Sequence, residues 1–368
     1  MLRRVLALAL IAVLAATMIV GCGQQAAPPP KVEPKPEPKP QPPAKKKIGL
    51  VFDVGGRGDL SFNDSAYAGL EKAAKEFADK VEVKWLEPSG AGENREELLR
   101  LLASQKYELI FAVGFLFTDH VIKVSKEFPS VKFALIDGFV DKLTKDSNTV
   151  CLAFKEQEGS FIVGVAAGLT TKTNKVGFVG GMKGPLIEKF EAGYVAGVKT
   201  VNPNITVMID YVGTTGDAFK NAPKGKELAL KQYNAGADVI YHASGATGIG
   251  VIEAAASKKK FVIGVDSDQA LTAKPEQRPY ILTSMLKMVD AAVYETIKTF
   301  VGGKFEGGYR IFGLSDGGIG YAKNDYNKDV IAKIGAKLEE YKAKVVKGEI
   351  VVPQSNEELK TYLAKIKK

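Results

Sequence analysis

The chain has 368 residues and a formal net charge of +9. Arg3 and Arg4 carry +2 and residues 24–47 carry +4 (six lysines against two glutamates), which leaves +3 for the rest; no helix carries a basic stripe with interleaved aromatics, so nucleic-acid binding loses its main argument. The only cysteines are Cys22 and Cys151 and the only histidines His120 and His242, numbers and spacings that argue against a disulfide framework and a metal site.

The first residues read as an address. Met1-Leu2-Arg3-Arg4 is a short basic region, and Val5 to Val20 is an apolar run that ends in Gly21-Cys22-Gly23. This pattern is a secretory signal over residues 1–21. Ile19-Val20-Gly21-Cys22 resembles a bacterial lipobox, with Cys22 as the lipidated first residue, although Val20 stands where a smaller residue is commoner. A transmembrane anchor is the competing reading, but the run is shorter than the ~20 residues of a usual span. The tether assigned to residues 22–46 is rich in proline: Gln24 to Lys47 holds nine of the seventeen prolines. Such a stretch cannot build a core and is expected as an extended spacer of ~3.1 Å per residue. A lipid-anchored domain facing the extracytoplasmic side follows.

From Lys46 apolar strands alternate with helices. Strands are expected at 48–52, 81–86, 108–113, 132–136 and 149–154, with helices at 64–78, 93–104, 118–128 and 156–170. The rhythm restarts with strands at 175–180, 205–211, 238–242 and 261–265 and helices at 185–199, 223–234 and 246–257. Such alternation predicts an α/β fold with parallel sheets and right-handed crossovers. About 320 residues exceed one typical core, so two lobes are expected. Beyond 265 come strands at 281–287 and 309–314, a helix at 288–301, a glycine-rich turn to 319–321 and a helix at 326–345. Several crossings between lobes would make a hinge with a cleft. The expected lobes are 47–172 plus about 286–308, and 173–285 plus about 309–353, with a lysine-rich tail over 354–368.

The loop from Phe52 to Phe62 joins the first strand to the first helix. Ligands of open α/β sheets bind outside the carboxyl ends of strands. This loop offers a carboxylate (Asp53), a ring (Phe62) and an amide (Asn63), with Asn63 or Asp64 expected to cap the helix. A ring can stack on a flat ligand, and an amide both donates and accepts. The same residues suit a purely structural loop equally well. The Ser244–Gly250 segment lacks the order GxGxxG, and no Walker-type loop appears, so a nucleotide phosphate has no evident cradle.

Taken together the chain resembles the basic membrane protein (BMP) family of bacterial lipoproteins, and within it the purine nucleoside receptor type. The resemblance covers most of Lys46 to Pro353. It rests on Phe52-Asp53 with Ser61-Phe62-Asn63, on Phe133-Ala134-Leu135-Ile136-Asp137, and on Phe154-Lys155-Glu156-Gln157-Glu158-Gly159-Ser160-Phe161 leading to Gly164-Val165-Ala166-Ala167. It continues through Val179-Gly180-Gly181-Met182, Lys224-Gly225-Lys226-Glu227, Gly236-Ala237-Asp238-Val239-Ile240 and Gly264-Val265-Asp266-Ser267-Asp268.

The resemblance implies a type I periplasmic binding protein: two Rossmann-like lobes joined by three hinge strands, non-enzymatic and without cofactor. It places the stacking aromatic on Phe62, its amide on Asn63, ligand carboxylates on Asp53 and Asp137, the ribose-binding aspartate on Asp266 and a lysine on Lys287. The second stacking aromatic falls on Phe219 when counted back from Lys224, or on Thr215, which cannot stack, when counted forward from Gly213. Backbone amides near Gly245 could also meet the ligand. The implied ligand is a purine nucleoside, delivered to an ABC permease and its cytoplasmic ATPase by a monomeric receptor. A ribose diol matches an ionised Asp266 as acceptor. The alternatives are a sugar, a furanosyl signal or a pyrimidine nucleoside on the same fold, or an enzyme that processes nucleosides.

Overall fold

The structure, a computed structural model, describes residues 44–366. The expected leader, Cys22 and the tether up to residue 43 lie outside the described residues. Twelve strands form two six-stranded sheets. The first uses β1 (Lys46–Val51), β2 (Val81–Leu86), β3 (Leu109–Val113), β4 (Lys132–Ile136) and β5 (Thr149–Phe154). The second uses β6 (Lys175–Met182), β7 (Thr206–Gly213), β8 (Val239–Ala243), β9 (Phe261–Asp266) and β10 (Ile281–Lys287). Two late strands complete them, β11 (Gly308–Phe312) and β12 (Ile319–Tyr321).

The orders are β11-β5-β4-β3-β1-β2 and β12-β10-β9-β8-β6-β7. They are the same pattern used twice, so β4 and β9 occupy equivalent places. All pairings are parallel except β12 on β10. Central strands such as Leu109–Val113 and Val239–Ala243 are buried throughout. Helices cover both faces of such sheets, which is why these strands read as continuous apolar runs.

The helices are α1 (Phe62–Glu76), α2 (Arg95–Ser104), α3 (Thr118–Glu127), α4 (Glu156–Thr170), α5 (Pro185–Val201), α6 (Ala222–Asn234) and α7 (Gly248–Lys258). After them come α8 (Gln269–Thr272), α9 (Val289–Val301), α10 (Lys328–Val346) and α11 (Asn356–Ile366). Among the described residues no helix is long and apolar enough to cross a membrane.

Three expectations change. Helix α4 packs on α5, β10 and β12 and so belongs to the second lobe, which moves the first boundary from 172 to Lys155. The reason lies in the Gly164-Val165-Ala166-Ala167 stretch: a Cβ on Gly164 would stand 2.3 Å from the Tyr194 carbonyl oxygen, and one on Gly197 of α5 2.1 Å from that of Phe161. Bare backbone lets the two helices touch. Strand β11, expected in the second lobe, joins the edge of the first sheet beside β5, and the stretch that the expected glycine-rich turn leads to forms β12 in the second sheet. The expected tail is helical over Asn356–Ile366 and docks on α5, where the Tyr362 hydroxyl lies 2.7 Å from Thr200 Oγ1.

The chain therefore changes lobes three times: at Lys155, at Met288 and across residues 313–318. Helix α9 returns to the first lobe against α1. The three crossings lie near the β5, β10 and β11 ends, and the carboxyl ends of β1, β3, β4, β6, β8 and β9 face the space between the lobes.

Candidate ligand-binding site between the lobes

A cavity with about 520 Å³ of space free of protein atoms, the solvent at its mouth included, lies between the lobes. Asp53, Phe62, Asn63, Asp137, Phe219, Gly245, Asp266 and Lys287 all line it. Thr215 does not; it is exposed at the start of the short turn that carries Phe219.

The first loop is held by its own polar groups. Asn63 Oδ1 accepts from the Asp53 N–H at 2.8 Å, and its Nδ2 donates to Asp59 Oδ2 at 3.1 Å. The helix cap is neither Asn63 nor Asp64. Helix α1 begins at Phe62, so both already lie in its first turn, and the Asp59 carboxylate accepts from the backbone N–H groups of Ser61, Asn63 and Asp64. Burial nevertheless pushes the Asp59 carboxyl up to about 7, against those bonds. Asp64 instead binds Arg57 Nε at 2.9 Å and the Gly58 and Leu60 N–H groups.

Asp53 is buried beside Arg95, whose Nη2 lies 3.3 Å from Oδ1. Burial raises its carboxyl to about 6, with Arg95 as the main opposing influence. Gly114, at φ +104°, makes room for it: a Cβ there would stand 2.2 Å from Asp53 Oδ2.

Asp137 and Asp266 are placed by matching geometry. They stand at the carboxyl ends of the equivalent strands β4 and β9, and both take φ 63°, the left-handed region. That region costs L-residues energy, least so for Asn and Asp, and such outliers collect at ligand clamps. Between them sits Lys287, 2% exposed, with Nζ ion-paired to Asp137, 3.7 Å from Asp266 Oδ1 and 3.9 Å from Glu156 Oε1. The ammonium also lies 4.6 Å from the Phe62 ring centroid, a cation–π distance. Burial alone would lower the lysine's pKa, but the three carboxylates outweigh it and the ammonium is held charged. The Asp266 carboxyl is raised by burial, opposed by Lys287 and then by Ser61, whose Oγ donates to Oδ2 at 2.6 Å across the cleft. Asp137 Oδ1 is buried and has no hydrogen-bond partner.

Sequence reasoning missed Phe115 and Phe190 in the wall, Ser61 as the cross-cleft donor, and Arg95 and Glu156 behind the cavity. Phe115 meets Phe219 edge to face, with centroids 6.3 Å apart and planes at 79°. Ser61 and Glu156 did stand inside quoted motifs, but their partners are some 130 to 200 positions away in the chain. Among the described residues no cluster of His, Cys, Asp or Glu could hold a metal ion.

A lined cavity between two α/β lobes, closed by a triple crossing, is the architecture of a type I solute-binding protein. Comparison with known proteins agrees. A family model described as "ABC transporter substrate-binding protein PnrA-like" (Bmp) matches residues 45–356, and the chain belongs to this family. A CD4+ T-cell-stimulating antigen of Listeria monocytogenes is 41% identical over 327 residues, 83% of this chain and 88% of that protein. The ABC transporter nucleoside-binding protein BmpA of Lactococcus lactis is 32% identical over 370 residues, 95% and 99% of the two chains. A solved ABC transporter solute-binding protein from Aeropyrum pernix superposes with a TM-score of 0.76 at 30% identity, covering 88% of this chain and 97% of that one. The family model and the Aeropyrum pernix structure describe substrate-binding proteins, not enzymes.

Proposed function

We propose that this protein captures a purine nucleoside between its lobes, outside the membrane, and passes it to the permease of an ABC importer. The observation that carries the reading is one cavity that combines phenyl rings (Phe62, Phe115, Phe190 and Phe219) with buried carboxylates, one oxygen of Asp137 among them lacking a partner. Rings of this kind stack on a purine. Carboxylates accept from ribose hydroxyls and base N–H groups. The lining carries one cation, Lys287, already matched by carboxylates, so a phosphate is disfavoured.

In this reading Phe62 and Phe219 stack on the base, and Asp266 with Lys287 takes the ribose. Asp53 and Asp137 accept further hydrogen bonds, and Asn63 supports Asp53. Asp53, Phe62 and Asn63 belong to the first lobe and Phe219 and Asp266 to the second, so one ligand can bias closure. The nucleoside-binding relative in Lactococcus lactis supports the ligand class. The lipobox-like Ile19–Cys22 supports a lipid-anchored, extracytoplasmic receptor.

The test is calorimetric titration of refolded protein with inosine, guanosine, adenosine, cytidine, uridine, ribose and a free purine base. One-to-one binding of purine nucleosides, with ribose and pyrimidine nucleosides much weaker, is the expected result. Silence of a folded sample toward all purine nucleosides would overturn the ligand assignment.

A further inference from the structure

Glu156 is a buried charge that the cavity does not account for. It opens α4 directly after the first crossing, is 0% exposed and does not line the cavity. Its Oε2 accepts from Lys189 Nζ of α5 at 3.1 Å. That bond alone would neutralise it. Yet its other oxygen, Oε1, stands 3.9 Å from Lys287 Nζ and has no hydrogen-bond partner.

Lys287 thus has three carboxylates around one ammonium. Two of them, Asp137 and Asp266, face the cavity, and the third does not. A ligand hydroxyl that donates to Asp137 or Asp266 competes with the ammonium for the same lone pairs. With those two partners alone, each new ligand bond would weaken a buried ion pair, and an uncompensated buried charge is costly. A third carboxylate outside the cavity wall removes that conflict.

We propose that Glu156 is a positioning residue for ligand binding: it stays the counter-ion of Lys287 while Asp137 and Asp266 turn their oxygens to the hydroxyl donors of the ligand. The inference rests on the nucleoside reading above. Lys189 in turn balances Glu156, so the charges run from α5 through Glu156 and Lys287 to the cavity. Glu156 follows the first crossing and Lys287 precedes the second, so the same contact also ties two hinge connections together.

The experiment is a cycle between protein and ligand. Calorimetry compares inosine with 2′,3′-dideoxyinosine, which lacks the vicinal hydroxyls, on the wild type, Glu156→Gln and Glu156→Asp. The ratio of the two dissociation constants is measured on one protein at a time, so a change in stability does not enter it. For Glu156→Gln, inosine affinity is expected to fall about tenfold and dideoxyinosine affinity less than twofold. Glu156→Asp, which keeps the charge, should retain a ratio near that of the wild type. Unchanged inosine affinity in Glu156→Gln, an equal loss for both ligands, or identical behaviour of the two variants overturns the role. Failure of the wild type to bind any of inosine, guanosine and adenosine would instead overturn the nucleoside reading, and the inference with it.

Discussion

Lys287→Met removes the one ammonium that all three buried carboxylates share and leaves the rest of the site, including the Lys189–Glu156 pair, in place. At an effective dielectric of about 20, Asp266 Oδ1 at 3.7 Å and Glu156 Oε1 at 3.9 Å each attract Nζ by roughly 4 kcal/mol. Asp137 lies closer and adds more. The desolvation of the ammonium takes back several kcal/mol, and breaking a buried pair from one side costs about 3–5 kcal/mol net. That loss should lower the melting temperature by roughly 6–12 °C. The sign of its pH dependence follows from the carboxyls. The pKa values of Asp266 and Glu156 are raised by burial; Lys287 holds back Asp266, and Lys189 and then Lys287 hold back Glu156, so without Lys287 both rise further. The folded variant then binds more protons than its unfolded chain, and its stability increases as pH falls. Urea unfolding of wild type and variant at pH 8 and pH 5 measures this. The penalty should be largest at pH 8 and smaller at pH 5. A loss below about 1 kcal/mol at pH 8, or a penalty that does not shrink at pH 5, would refute the charge argument.

The remaining predictions concern the ligand. Phe62→Ala and Phe219→Ala should each weaken nucleoside binding roughly 5- to 150-fold, the ~1–3 kcal/mol of a base–aromatic stack, whereas the exposed Thr215→Ala should change it less than twofold in the same titration. Ser61→Ala removes a fully buried cross-cleft bond to a carboxylate, worth ~1.5–3 kcal/mol, and should lower affinity about 10- to 100-fold by disfavouring closure. Small-angle scattering should then show a more open ligand-free protein, and unchanged scattering and affinity would count against it. Binding should weaken as pH drops through about 6, where the Asp53 carboxyl takes up its proton. In Arg95→Gln, which removes the influence that holds that carboxyl down, the midpoint should move to higher pH; an unmoved midpoint in calorimetric pH profiles would contradict this.

The sequence by itself determined the local elements and the address of the site. Strand 149–154, helix 156–170 and strand 281–287 were legible to the residue, because runs of buried apolar residues and helical spacing are local signals. The motif resemblance also brought Asp53, Phe62, Asn63, Asp137, Phe219, Gly245, Asp266 and Lys287 into one expectation, and they line one cavity. Only the tertiary structure decided which lobe α4 and β11 join, because helix contact through Gly164 and Gly197 and the pairing of β11 with β5 depend on residues far apart in the chain. The same holds for the charges. Whether Asp137, Glu156, Asp266 and Lys287 meet is set by the ends of four elements from two lobes, and no spacing in the sequence encodes a distance of 3.7 or 3.9 Å. Burial, which shifts the Asp53 and Asp59 carboxyls upward, is likewise a property of the closed lobes, since a carboxylate is desolvated only by the neighbours that folding brings to it.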